Sequence, residues 1–328
     1  MKKLIENFPD QLRESLDIAN AAKLSAKHNI HNIVVTGLGG SGIGGTIISE
    51  LVTDSCKVPV LVNKDYFLPA YVGPNTLVII SSYSGNTEET LEAMQQALNK
   101  KAQIVCITSG GKVEESAKQN NLDVIKIPGG NPPRSCIGYS LVQLIKVFVH
   151  NGFAPASLLT DVKNSIALLE KENSNITTQA KHIAQILLNK IPVIYSLGSC
   201  EGVSVRFRQQ INENSKMLCW HHVFPEMNHN ELVGWTTKND DISVITFRTS
   251  FDYKRTQKRY EVCKPVFEKY SSGVTDITAK GNSKVEEFMY LINIGDWISV
   301  YIAELRGIDP VEVNIIDHLK KELSKFNA

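Results

Sequence analysis

The sequence has no long apolar run and no excess of charge of one sign. No apolar segment approaches the roughly 20 residues that a membrane-spanning helix needs. The first residues form a charged amphipathic pattern rather than the apolar core of a signal peptide. We therefore expect a cytoplasmic protein that makes no contact with membrane.

Paired cysteines are also missing, because the 6 cysteines are scattered without any Cys-x-x-Cys spacing. This distribution is typical of reduced, buried thiols rather than of disulfides or metal ligands. The 35 Lys and Arg residues oppose 34 Asp and Glu residues, which leaves a formal net charge of +1. Such a balance provides no overall field to attract nucleic acid.

Strand-like runs rich in Val and Ile alternate with helical patterns in the first half of the chain. The predicted strands are 32–36, 58–63, 76–81, 102–108 and 123–128. Nearly continuous apolar strands that alternate with helices indicate a parallel sheet covered on both faces. With 42% hydrophobic residues in 328, the chain can fill a core in each of two α/β domains.

The same order of elements recurs after an amphipathic region at 155–190. Aligning Ile33 with Val193 gives an offset near 160 residues, and aligning Leu77 with Ile242 gives a similar one. We therefore expect two doubly wound parallel-sheet units related by internal duplication. Their predicted ranges are 1–153 and 154–328, and only the first keeps turns rich in glycine and serine.

Two such turns follow strands of the first unit, GLGGSGIGG at 37–45 and SSYSGNTEET at 81–90. In one interpretation Asn86 or Thr87 simply caps the next helix. In the other, hydroxyls and backbone N–H groups converge at the positive end of a helix and hold a phosphate. Ligands bind beyond the carboxyl ends of parallel strands, so both turns are expected to face one crevice. The predicted phosphate-binding residues are Gly40, Ser41, Ser82, Ser84 and Thr87.

The glycines Gly37, Gly39 and Gly42 also match the G-x-G-x-x-G pattern of dinucleotide-binding folds. The acidic residue that such a fold needs after its second strand is ambiguous here, because Asn63-Lys64-Asp65 follows that strand. The serine turn favours a phosphate monoester over a nicotinamide cofactor.

Four more residues are candidates for chemistry, and three of them also have an ordinary structural interpretation. Arg134 is either a fixed oxyanion donor or a loop arginine at the surface. Glu213 is either a proton-abstracting base or a solvated carboxylate at a helix end. Lys320 is either directed into a cleft or part of a solvated terminal run. His229 stands between two asparagines, an unusual setting for a core histidine.

A metal site that combines His229 with the pair His221-His222 is not favoured. Adjacent histidines point apart in any regular element, and no carboxylate stands at a ligand spacing such as H-E-x-x-H. We expect no metal and no cofactor.

The two turns, about forty residues apart, resemble those of the sugar isomerase (SIS) fold. Further stretches are similar to the bifunctional phosphoglucose/phosphomannose isomerases, namely PPRSCIGYS at 132–140, INENSK at 211–216, PEMNHNEL at 225–232, GDWISVYIAELRGIDP at 295–310 and IDHLKKEL at 316–323. The resemblance implies an aldose–ketose isomerase that interconverts glucose 6-phosphate and mannose 6-phosphate with fructose 6-phosphate.

The resemblance also implies roles for the four candidate residues. Glu213 would move a proton between C1 and C2, and Arg134 would stabilise the enediolate. Lys320 would assist ring opening. His229 would catalyse ring opening from the neighbouring subunit of a homodimer.

One stretch departs from the implied pattern. Relatives that accept mannose 6-phosphate are implied to carry a small hydroxyl residue near the terminal lysine, but residues 311–315, VEVNI, contain neither Ser nor Thr. Glucose 6-phosphate is therefore the better supported substrate. The alternatives are another SIS sugar-phosphate isomerase and a non-catalytic sugar-phosphate sensor. A sensor is expected to carry an output module, and residues 1–30 are too short for one.

Overall fold

A computed structural model of the chain describes residues 1–198 and 200–326, which contain two parallel β-sheets flanked by helices. The strands of the first sheet are β1 Asn32–Thr36, β2 Val60–Asn63, β3 Thr76–Ser82, β4 Gln103–Thr108 and β5 Asp123–Lys126. The strands of the second sheet are β6 Ile191–Leu197, β7 Trp220–Phe224, β8 Ile242–Arg248 and β9 Val274–Thr278.

Helices cover the faces of both sheets. The α-helices are α1 Lys2–Glu6, α2 Phe8–Ala21, α3 Gly39–Leu51, α4 Glu88–Asn99, α5 Gly111–Gln119, α6 Ile137–His150, α7 Ser157–Leu187, α8 Glu201–Ser215, α9 Lys254–Tyr270, α10 Lys284–Arg306 and α11 Asn314–Leu323. Short 3-10 helices span Pro133–Ser135, Glu226–His229 and Glu231–Gly234. Among the helices of these residues, none combines the length and apolar composition that a bilayer crossing requires.

The two sheets share one strand order. The first runs β2-β1-β3-β4-β5 and the second runs β7-β6-β8-β9, with parallel pairing throughout. This confirms the predicted pair of parallel-sheet α/β units, and the common order is what a duplication produces. Ile33 pairs with Leu77 and Val193 pairs with Val244, so the counterpart of Leu77 is Val244, two residues beyond the predicted Ile242.

Helix α10 lies at the centre of the molecule. Every residue from Val285 to Ala303 is buried, and the helix packs against α7 and α8. A helix that is buried on all sides needs apolar residues around its whole circumference, and α10 has them at most positions. Its few buried polar groups, among them Asp296 and Ser299, therefore need partners inside the protein.

Helix α3 connects the two units. It follows β1 of the first sheet, and it packs on α6 of its own unit and on α8 of the second unit. Gly44 and Gly45 make the close approach to α6 and to the sheet, because a Cβ would lie 3.1 Å from Leu144 Cδ1 at Gly44 and 3.0 Å from Val35 Cγ1 at Gly45. The beginning of α3 thus lies at the carboxyl end of β1, and its last turn lies near α8.

Candidate active site

The two glycine- and serine-rich turns lie side by side, because β1 and β3 are neighbouring strands. The backbone N–H of Tyr83 donates to Ser41 Oγ at 3.1 Å, which joins the turn after β3 to the turn after β1. A Cβ on Gly37 would lie only 2.5 Å from the Ser81 carbonyl oxygen, so a side chain at position 37 would separate the turns. The two turns therefore lie close together, as expected for neighbouring parallel strands.

The positive ends of α3 and α4 both point toward the carboxyl ends of the strands in the first sheet. Thr87 occupies the position before α4, yet within the described residues its hydroxyl makes no capping hydrogen bond. Its Oγ1 instead lies 3.3 Å from Ser82 Oγ. Asn86 Oδ1 accepts from the Lys112 backbone N–H at 3.1 Å and belongs to a different turn. The interpretation of this stretch as a simple helix cap is therefore not supported.

Ser84 is the most accessible hydroxyl of the second turn. Its side chain is exposed, and its Oγ accepts a hydrogen bond from the Asn86 backbone N–H at 3.2 Å. Ser41 and Ser82 are buried at the floor of the turns. Hydroxyls at two depths, together with two helix ends, form an arrangement suited to a phosphate.

Arg134 lies directly beside the first turn. A Cβ on Gly40 would lie 3.2 Å from the Pro133 carbonyl oxygen and 3.6 Å from Arg134 Cα. The side chain of Arg134 is buried, so its interpretation as a surface arginine is wrong. Its Nη1 lies 3.4 Å from Glu213 Oε2, and its Nε donates to Asn214 Oδ1 at 2.7 Å. Arg134 thus adjoins the first turn through its backbone and the candidate base through its guanidinium.

Glu213 lies in the last turn of α8 and is partly accessible, with 29% of its side chain exposed. It lines a cavity of about 240 Å³ together with Lys216 and residues of the C-terminal segment, namely Glu312, Val313, Ile315 and Ile316. Residues of the stretch 311–315 therefore lie beside Glu213. Arg134 holds the start of this segment, because its Nη2 donates to the Val311 carbonyl oxygen at 3.0 Å.

Burial determines the electrostatics of Arg134 and Glu213. It lowers the pKa of Arg134, and the Glu213 carboxylate opposes that effect. Burial also lowers the pKa of Lys216, whose Nζ donates to the Glu213 carbonyl oxygen. Arginine starts from so high a pKa that Arg134 remains a cation at neutral pH. A partly buried carboxylate beside a fixed guanidinium can exchange a proton with a substrate while the cation holds an adjacent oxyanion.

Sequence reasoning missed a buried polar network behind this pair. Arg206 donates to the Arg134 carbonyl oxygen at 2.9 Å and to Asp296 Oδ2 at 2.6 Å. Asn214 Nδ2 donates to Ser299 Oγ at 2.9 Å, so both α8 and α10 hold the arginine. Arg206, Gln210 and Asn214 follow one another at intervals of four residues on the buried face of α8, and this regular polar spacing was the available signal.

His229 and Lys320 are exposed, and their described contacts do not place them against Glu213 or Arg134. His229 ends the 3-10 helix that follows β7, and Lys320 lies in α11. A single chain thus brings together the turns, Arg134 and Glu213 but not these two residues. Among the residues that the structure describes, no group of three or more His, Cys, Asp or Glu side chains has an arrangement suited to a metal ion.

Comparison with protein families gives two matches along the chain. Residues 28–131 match a family described as the SIS domain. Residues 176–323 match a family described as the bacterial phospho-glucose isomerase C-terminal SIS domain. The two matches fall on the first and second sheets.

Relatives of known activity cover nearly the whole chain. A bifunctional phosphoglucose/phosphomannose isomerase of Caldicellulosiruptor bescii is 40% identical, with 99% of each chain covered. One of Aquifex aeolicus is 36% identical, with 98% of each chain covered. Among solved structures, the C-terminal domain of glucosamine-fructose-6-phosphate aminotransferase from Francisella tularensis has a TM-score of 0.77 at 15% identity and covers 95% of this chain and 98% of that chain. That last likeness concerns the fold alone.

Proposed function

We propose that this chain, which belongs to the family of bifunctional phosphoglucose/phosphomannose isomerases, is an aldose–ketose isomerase. It interconverts glucose 6-phosphate and mannose 6-phosphate with fructose 6-phosphate. The reaction passes through a cis-enediolate. The observation that carries the proposal is Arg134, whose backbone adjoins the first turn at Gly40 and whose guanidinium lies 3.4 Å from Glu213.

The substrate phosphate is held by the two turns at the end of the first sheet. Gly40 and Ser41 provide the N-terminus of α3, while Ser82, Ser84 and Thr87 provide hydroxyl groups beside the N-terminus of α4. Because the phosphate is remote from C1 and C2, these contacts bind substrate and transition state alike. Their main contribution is to orient the sugar toward Glu213.

Glu213 is the base that transfers the proton. An aldose and its ketose differ in the position of one proton, so a single carboxylate removes it from C2 and returns it to C1. As the carbon-bound proton moves from C2 to C1, the hydroxyl proton must move from O2 to O1, and this leaves negative charge on O1 or O2 during the transfer. Arg134 stabilises that charge, and the hydrogen bonds that it donates to Asn214 and accepts from Arg206 keep the guanidinium preorganised. No redox cofactor is needed, since substrate and product have the same oxidation level overall.

His229 and Lys320 complete the site by assisting ring opening. The exposed position of His229 on the second unit is compatible with its donation to the site of a second chain. The proposal therefore includes a homodimer with shared sites, in the cytoplasm. It also keeps 1–153 and 154–328 as the two domains, of which the first binds the phosphate.

A coupled assay for fructose 6-phosphate tests the function. Formation of product is expected from glucose 6-phosphate and from mannose 6-phosphate, and EDTA is expected to leave both rates unchanged. The absence of Ser and Thr at 311–315 leads us to expect the lower rate with mannose 6-phosphate. Binding of both sugars without turnover would instead indicate a sugar-phosphate sensor.

The variants Ser84→Ala and Thr87→Ala test the phosphate turn. Each is expected to raise the dissociation constant for the sugar phosphate, because a hydrogen bond to a charged group contributes about 1.5–3 kcal/mol. The melting temperature is expected to stay unchanged, since neither hydroxyl caps α4. Isothermal titration with fructose 6-phosphate measures the effect, and Thr53→Ala, at an exposed hydroxyl beyond the far end of α3, is the control. Wild-type affinity in both variants would remove the turn from the binding site.

A further inference from the structure

The beginning of α8 is the second unit's counterpart of the phosphate turn. Helix α8 follows β6 as α3 follows β1, and β6 and β1 hold the same place in their sheets. In the second unit, however, a side chain of the first unit occupies this helix end. Glu50, in the last turn of α3, accepts a hydrogen bond from the Gly202 backbone N–H at 2.8 Å through Oε1.

The contact leaves little room for anything else. A Cβ on Gly202 would lie 3.0 Å from Ile47 Cγ1 and 3.1 Å from Glu50 Oε2, so α3 and α8 approach each other closely at this point. Glu50 Oε2 is buried and has no hydrogen-bond partner within 1–198 and 200–326. The carboxyl group of Glu50 therefore fills the place of an external anion.

The charged groups around Glu50 come from several elements. Glu201 belongs to α8, Lys284 belongs to α10 and donates to the Glu50 carbonyl oxygen at 3.2 Å, and Lys64 follows β2. Lys284 also lies 3.6 Å from Asp54. Burial, reinforced by Glu201, raises the pKa of Glu50 from 4.5 to about 7, although the Gly202 N–H and Lys284 oppose this.

We propose that Glu50 is a positioning residue for the isomerase reaction. Its carboxyl group holds the N-terminus of α8, as the substrate phosphate is proposed to be held at the N-terminus of α3. Helix α8 carries Arg206, Glu213 and Asn214, so the anchor fixes the helix that presents the base and supports Arg134. The inference rests on the proposed role of Glu213.

The arrangement gives α3 two functions, one at each end. Its first residues form the phosphate turn and Glu50, near its last residue, holds α8. The helix thereby fixes the separation between the substrate phosphate and the base. A second consequence is that the N-terminus of α8 is not open to a phosphate, because Glu50 occupies it.

Kinetics of Glu50 variants test the proposal. Glu50→Ala removes the acceptor and is expected to lower kcat by about 10- to 100-fold, the cost of a small misplacement of catalytic groups, with little change in KM. Glu50→Gln keeps an oxygen for the Gly202 N–H and is expected to retain most of kcat. Glu50→Asp is too short to reach and is expected to behave like the alanine variant. Asp54→Ala is the control, because Asp54 is an exposed acid just beyond the C-terminal end of α3.

Two readouts do not depend on catalysis. Hydrogen exchange of the peptide at the start of α8 is expected to accelerate in Glu50→Ala and to stay slow in Glu50→Gln.

The second readout is the dependence of the protein's stability on pH. The folded pKa of about 7 exceeds the ordinary 4.5, so the contribution of Glu50 to stability is full below pH 4.5 and is lost as the pH rises through 7. The denaturation midpoint of the wild type is expected to fall relative to that of Glu50→Gln between pH 5 and pH 8.

The outcomes separate the two proposals. Absence of isomerase activity in the wild-type protein would overturn the proposed function. The exchange experiment would then decide whether Glu50 holds the N-terminus of α8. Active wild type together with unchanged kcat and unchanged exchange in Glu50→Ala would overturn the anchor. If Glu50→Ala does not fold, Glu50→Asp and the pH profile of Glu50→Gln decide in its place, and wild-type kcat in Glu50→Asp would also overturn it.

Discussion

Glu213→Gln is expected to lower kcat by about 10²- to 10⁴-fold, the usual contribution of a positioned general base. The amide has nearly the same size as the carboxyl group and still offers an oxygen to Arg134 Nη1, which lies 3.4 Å away in the wild type. It cannot accept a proton at neutral pH. Substrate affinity is expected to change little, so the loss should appear in kcat rather than in KM.

Isotope exchange tests the same variant more directly. With deuterium at C2 of the substrate, the wild type is expected to release label to water or to transfer it to C1, while Glu213→Gln does neither. Glu268→Gln, an exposed glutamate on α9, is the matched control and is expected to behave as wild type. Normal exchange by Glu213→Gln would show that another group removes the proton.

The second large effect is expected when two inactive variants are mixed. Glu213→Gln and His229→Ala are each expected to be nearly inactive alone. If His229 comes from the second chain, a mixed dimer contains one site with both lesions and one site with none. Activity per mixed dimer should then recover toward half of the wild-type value, measured by the coupled assay after subunit exchange.

The structure offers a control for this experiment. Arg134 and Glu213 contact each other within one chain, so Arg134→Ala and Glu213→Gln damage different sites of a mixed dimer. Mixing these two variants is expected to restore nothing. If the pair with His229→Ala also restores nothing, although mass spectrometry shows mixed dimers, then His229 acts within its own chain and the shared site is wrong.

The loop that carries His229 has the rigidity that such a role requires. Glu231 accepts a hydrogen bond from the buried Tyr195 hydroxyl, to which Trp235 Nε1 also donates at 3.1 Å. Asn230 Oδ1 accepts from the Glu231 backbone N–H and caps the next short helix. An exposed histidine on a fixed backbone can approach a second chain with little loss of conformational entropy.

The strands that the sequence predicts best are those buried in the middle of the first sheet. The run 32–36 has the bounds of β1, and β3 and β4 differ from their predicted ranges by a single residue each. The missed strands, β7 and β9, lie at the edges of the second sheet. Most of their residues are only partly buried, and β7 contains two adjacent histidines. An edge strand needs no continuous apolar run, so its composition carries little signal.

Much the same distinction applies to the site. The turns were predictable because adjacent parallel strands end at one edge and because serine, threonine and glycine have few other reasons to cluster there. The burial of Arg134 was not predictable, since it depends on Asn214 and on the segment at 310–311, far away along the chain. Glu50 gave no local signal at all, because its partner is a backbone N–H of the other unit.

The central position of α10 has a consequence for synthesis on the ribosome. Its residues 284–306 close the core between α7 and α8, although they are translated after both of those helices. At about 5–20 residues per second, the ribosome needs roughly 5–20 seconds to go from the end of α8 to the end of α10. During that time the faces of α7 and α8 that α10 will cover are open to solvent. We therefore expect the nascent chain to expose a site for chaperones until α10 has been made, even though each of its sheets forms from an uninterrupted stretch of sequence.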